Sequence, residues 1–106
     1  MRYWFIAFTF LFFSCLFACQ QSNNAAVSPE DLGQHTYKRY CITCHGINGQ
    51  LQLNGAKNFK ESVLNLEERI AVITNGRNLM TPFKDILTAE EIEAVATYTL
   101  QFSKGE

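Results

Sequence analysis

Two thiols and an imidazole fall within five consecutive residues, Cys41-Ile42-Thr43-Cys44-His45, and no other feature narrows the possible folds so sharply. Thiols one helical turn apart lie on one face of a helix. Both can therefore reach the same rigid partner, and the next residue brings an imidazole to the same place. The chain has 106 residues, enough for one small domain. A core of that size is marginal without a staple. Whatever these five residues hold is expected to form part of the core.

The spacing fits covalent attachment of a single c-type haem. Cys41 and Cys44 can add to the two vinyl groups along one porphyrin edge, and His45 then points at the iron. Three other uses of the same residues fare worse. A thioredoxin-like redox pair needs a βαβ setting, and the chain has no alternating segment long enough for a strand. A zinc site needs about four ligands, and the only other histidine is His35. A plain disulfide leaves His45 without a role.

Residues Tyr3 to Ala18 carry no charge and include six phenylalanines, with Arg2 ahead of them. A short basic start, an apolar stretch and small residues at its end make a secretory leader, expected over residues 1–18. The run is shorter than the ~20 residues of a membrane-spanning helix. Its end, Leu16-Phe17-Ala18-Cys19, resembles the lipobox of bacterial lipoproteins, which implies lipidation of Cys19. Residues 19–28 then read as a polar tether, and residues 29–106 as the folded domain. Removing the leader costs the chain only Arg2, and the full-length charge is already −1. Such a balance offers no basic stripe for nucleic acid and no polybasic patch for lipid.

Within the domain the periodicity is helical. Ser28-Pro29-Glu30-Asp31 is a helix start, with a capping serine, proline at the first position and acids at the positive end of the dipole. This helix is expected to reach about Ile42, with Gly33, Tyr37, Tyr40, Cys41 and Cys44 on its inner face. Residues 46–64 hold three glycines and three asparagines without a sustained period, and read as a long loop. Asn65 and Glu68 have capping-pair spacing, and Leu66, Ile70 and Ile73 form the apolar stripe of a second helix to Asn75, with Gly76 as its stop. Thr88 and Glu91 cap a third, running to about Ser103 and burying Ile92, Val95, Ala96, Thr99 and Phe102. The fold class is all-α, with three main helices and long loops wrapped round the haem.

A second axial ligand follows by elimination. Met1 and Met80 are the only methionines, and Met1 lies in the leader. Met80 stands in Asn78-Leu79-Met80-Thr81-Pro82-Phe83, where the proline restricts the loop and apolar neighbours shield sulfur. A buried methionine is otherwise plain core filler. His35 is the rival ligand, expected on the solvent side of the first helix.

From about Asp31 to Phe102 the chain resembles the class I cytochromes c. The resemblance rests on Gly33 and Tyr37, on Cys41, Cys44, His45 and Gly46, on Gly76-Arg77-Asn78-Leu79-Met80, and on Tyr98. It implies a cytochrome c-like fold in which the first and last helices cross near a right angle. Gly33 would permit their close approach, and Tyr37 and Tyr98 would pack there. Two departures stand out. The family commonly has a proline, whose carbonyl orients the ligand histidine, where this chain has Lys57. Many members also place proline directly after the methionine, and here Thr81 intervenes.

An iron held by both His45 and Met80 has no open position, which argues for one-electron transfer and against an enzymatic site. The chain is therefore expected to be a periplasmic, lipid-anchored electron carrier between respiratory redox proteins. A haem c subunit or docking module of a larger oxidoreductase is the alternative, and a haem-based sensor is another. The lysines and arginines show no ring that would identify a partner.

Overall fold

In the computed structural model, which describes residues 26–103, Ser28 opens the first helix by accepting a 3.1 Å hydrogen bond from the Asp31 amide. Helix α1 runs Pro29–Tyr40, with Glu30 and Asp31 at its start and Lys38 and Arg39 at its end, so both ends suit the dipole. It stops earlier than the expected Ile42. Cys41, at φ −111° but still in the right-handed helical region, interrupts the regular pattern, and a separate short helix, α2, covers Ile42–His45. Gly46, at φ +77°, ends α2, and the loop beyond it contains two 3₁₀ turns, Leu53–Gly55 and Phe59–Glu61. The leader at 1–18, Cys19 and most of the 19–28 tether lie outside the described residues.

Helix α3, Leu66–Asn75, begins with the full reciprocal cap between Asn65 and Glu68, both bonds at 2.9 Å. Thr88 and Glu91 form the equivalent pair ahead of α4, Ala89–Ser103. Among the described residues there is no strand, only an isolated bridge between Arg77 and Met80. None of their helices is long and apolar enough to cross a membrane.

Helix α4 is the hub, since α1 and α3 both pack on it. Tyr37, Ile73, Leu87, Ile92, Val95 and Ala96 form the buried core. Burying one such aliphatic side chain is worth about 1.5–3 kcal/mol. Glycine is a poor choice inside a helix, costing about 1 kcal/mol against alanine, yet Gly33 sits in the middle of α1. A Cβ there would run into the carbonyl of Ala94 and stand 2.9 Å from Tyr98 Cβ. Ala94, which the sequence pattern did not place inside, is buried by the same contact.

Replacing Gly33 with valine should therefore destabilise the domain by about 1–3 kcal/mol through overpacking, although helix propensity alone predicts the opposite sign. Thermal unfolding checks this. The midpoint should fall by about 4–8 °C for each kcal/mol lost, and a rise would mean that the two backbones do not meet there.

Candidate functional site

The end of α1 and all of α2 bring Cys41, Cys44 and His45 to one wall of a cleft of about 650 Å³. His45 is 8% exposed. Its Nδ1 lies 3.3 Å from the carbonyl oxygen of Lys57, and its ring stacks on Phe59 with centroids 4.3 Å apart and planes 14° apart. A carbonyl on Nδ1 selects the tautomer with hydrogen there and leaves Nε2 as the lone-pair nitrogen. Burial lowers the His45 pKa, the Lys57 carbonyl opposing it more weakly, so the neutral, ligand-competent ring is favoured.

The loop around this ring is tied to it. The Leu51 amide donates to the His45 carbonyl at 3.0 Å, and the Phe59 amide to the Gly49 carbonyl at 2.9 Å. Tyr37, 1% exposed, donates its hydroxyl to the Gly46 carbonyl at 2.6 Å. Its ring lies 5.4 Å from Tyr98 and 5.2 Å from Phe102. Burial first, and the neighbouring Cys41 next, raise the Tyr37 phenol above its ordinary range, so it remains a donor.

Met80 lines the cleft from a different element, together with Leu79 and Phe83. Its loop is fastened to α3 at the far side, where the Phe83 amide donates to the Ile73 carbonyl at 2.9 Å and Lys84 to Thr74 at 3.2 Å. Gly76, at φ +72°, begins the loop, and a side chain there would meet the Pro82 nitrogen at 2.9 Å. The four predicted residues, Cys41, Cys44, His45 and Met80, thus share one cavity. His35 is exposed on α1 and takes no part in the lining.

The cavity fits a large planar cofactor. Its volume lies within the ~300–1,000 Å³ of typical cofactor sites, and Val72, Ile73, Phe83 and Val95 supply apolar walls. Two free, half-buried thiols stand beside one imidazole. The Cys41 thiol is pushed up to about 12, chiefly by burial and then by Cys44. That is the reverse of the lowered pKa of a redox-active dithiol. Among the described residues, no three His, Cys, Asp or Glu side chains converge on a point that could hold a metal ion by themselves.

Sequence reading placed Lys57 where the family's histidine-orienting proline stands but left open which carbonyl meets His45, and two features of this site it did not single out. One is the ring of Phe59. The other is Arg69, a cleft-lining residue only 4% exposed. Its position was visible in principle, because residue 69 falls at helical spacing from Leu66 and Ile73 on the apolar stripe of α3. Burial lowers its pKa, but a guanidinium remains charged.

Comparison with known proteins points the same way. A family model described as "Cytochrome C oxidase, cbb3-type, subunit III" matches residues 28–98. A cytochrome c6 of Rippkaea orientalis is 33% identical over 96 residues, which cover 85% of this chain and 86% of that protein. A cytochrome c6-like protein of a Nostoc strain is 38% identical over 80 residues, 69% of this chain and 71% of that one. The dehydrogenase subunit of a quinone alcohol dehydrogenase from Acetobacter aceti is 33% identical over 78 residues, 67% of this chain but 10% of the subunit. No solved structure matches the chain.

Lys57 tests how the histidine is oriented. What matters is the carbonyl, and proline keeps it. Ala56, the preceding residue, already has ψ 138°, which a following proline requires. Lys57→Pro should therefore leave the domain unharmed or stabilise it by about 0.4–1 kcal/mol through the unfolded chain. Denaturant unfolding measures this. A loss above about 1 kcal/mol would show that the Lys57 amide or side chain is needed.

Proposed function

This chain belongs to the small class I c-type cytochromes, and from that premise we propose that it is an exported electron carrier, tethered to a membrane surface through lipid on Cys19. Family membership implies one covalently bound haem c and a role in electron transfer, not enzymatic catalysis. The haem would be attached through Cys41 and Cys44, with His45 and Met80 as the axial ligands. The observation that carries this assignment is the convergence of those four side chains on one apolar cleft.

When bound, the haem supplies reversible one-electron exchange at its iron. The protein's own residues set the conditions. The Lys57 carbonyl and the Phe59 ring fix the plane and tautomer of His45. Met80 offers a thioether, which raises the potential relative to a second histidine. Ile73, Phe83 and Val95 keep the cleft apolar. His45 and Met80 would both be engaged in holding the haem, which would leave no position for a substrate, so electron exchange with a protein partner is the chemistry this site would support. Such encounters are weak and use small surface patches.

The location follows from residues 1–28. An apolar leader over 1–18, the Leu16-Phe17-Ala18-Cys19 lipobox and a polar tether over 19–28 support export to the periplasmic side of a bacterial membrane with a lipid anchor. A second reading, a haem module serving a larger oxidoreductase, is favoured by the Acetobacter relative, in which the matching stretch is a small part of a dehydrogenase subunit. It keeps the same site and changes only the partner.

A pyridine haemochrome spectrum of protein matured with a haem-attachment system tests the core of the proposal. One haem per chain with two saturated vinyl groups is expected, and haem lost on acid-acetone extraction would overturn it. Met80→Ala should keep the haem, lower the reduction potential and let the reduced protein bind carbon monoxide that the parent resists. The weak sulfur-to-iron band of the oxidised parent should disappear. If Met80 only fills space, the variant should instead lose about 2–5 kcal/mol of stability to a cavity, with spectrum and gas binding unchanged. Cys19→Ser should move the protein from the membrane to the soluble fraction of expressing cells. Unchanged membrane association would point to an uncleaved apolar anchor.

A further inference from the structure

We propose that Arg69 anchors a carboxylate of the haem and that its positive charge, held beside the cofactor, raises the reduction potential of the protein. The proposal rests on the haem reading above and deepens it by assigning the anionic edge of the cofactor a partner.

The case begins with a buried cation. Arg69 is 4% exposed, on the face of α3 that lines the same cleft as His45 and Met80. Its Nε donates to the Leu64 carbonyl at 3.1 Å. One terminal nitrogen donates to the Thr99 carbonyl at 2.9 Å and to Thr99 Oγ1 at 3.1 Å, and the other donates to Ser103 Oγ. All four acceptors are neutral. A guanidinium has five N–H donors, so one remains uncommitted. Among the described residues no carboxylate is bonded to it.

Neutral oxygens satisfy hydrogen bonds without balancing charge, and burying an unbalanced ion is expensive. The cation cannot be discharged, because arginine stays protonated in proteins. An anionic group in the cleft would balance this charge. A haem carries two propionates, its only negative substituents, and the planar fork of arginine is matched to a carboxylate. The guanidinium is also held and not loose. The hydroxyl of Ser103 passes the contact on to the Phe59 carbonyl at 2.9 Å, and the Phe59 ring lies 5.6 Å below the guanidinium carbon. Phe59 is the ring on which His45 stacks. One network therefore positions both the axial histidine and the cation.

A positive charge near the iron disfavours the oxidised form, which carries one more positive charge than the reduced form. Arg69→Met removes the charge at similar length, and Arg69→Lys keeps it while losing the fork. In matured holoprotein the methionine variant should shift the reduction equilibrium about tenfold towards the oxidised form, a midpoint lower by about 59 mV for one electron. The lysine variant should retain more than half of the parental effect. A methionine variant that carries haem and keeps its midpoint within about twofold in equilibrium would overturn the proposal. So would equal shifts in both variants, which would mark a structural role without a charge effect. If neither variant matures, proton NMR of the reduced parent decides. Contacts between Arg69 side-chain N–H protons and a propionate methylene support the assignment, and contacts confined to Leu64, Phe59, Thr99 and Ser103 reject it. A parent chain with no covalent haem would refute the functional reading itself, whereas haem-bearing protein with an unmoved potential refutes only the role of Arg69.

Discussion

Gly33 allows the backbone of α1 to rest against the Ala94 carbonyl of α4, and the shape of the cleft descends from that contact. The approach sets the depth at which Tyr37 enters the interior, between Tyr98 and Phe102. Tyr37 in turn holds the Gly46 carbonyl, one residue past His45. A side chain at position 33 would move α1 outward and carry the attachment residues with it. The helix gives up intrinsic propensity at this point, and the compensation is tertiary.

A second line of support runs through stacked rings. His45 lies on Phe59, and Phe59 lies nearly parallel to Phe102 on α4, with centroids 6.0 Å apart. The His45 imidazole is thus braced by the same helix that receives Gly33. Rings packed in this way are worth about 0.5–1.5 kcal/mol per pair beyond their buried area. Their larger contribution here is angular, since an imidazole between a fixed ring and a backbone carbonyl has one orientation available.

Local information was legible in the chain. The Ser28, Asn65 and Thr88 caps stand where their side chains imply, because a cap depends on residues three apart and on nothing distant. The all-α class, the helix pairs and the grouping of Cys41, Cys44, His45 and Met80 also follow from short-range pattern or from the family resemblance. Three things did not. The break at Cys41 shortens α1 relative to its apolar period, since side-chain periodicity is blind to a single backbone departure. The resemblance marked position 57 as the family's place for the orienting carbonyl, but a lysine there does not fix where its own carbonyl points, and only the path of the loop brings that oxygen to His45. Arg69 was passed over because charge usually marks the wet face of a helix, and only its spacing from Leu66 and Ile73 contradicted that.

The segment from Gly76 to Phe83 is secured at both ends by backbone alone. Met80 donates its amide to the Arg77 carbonyl at 3.0 Å, and Phe83 closes the segment onto Ile73. None of these bonds depends on the side chain at position 80, which faces the cleft. The loop therefore behaves as a cassette. Heritable change at that one codon can alter the group that faces the cleft while leaving the path of the chain intact. What the loop presents and how the loop folds can then diverge under separate selection, so a lineage built on this scaffold can vary the one without first solving the other again.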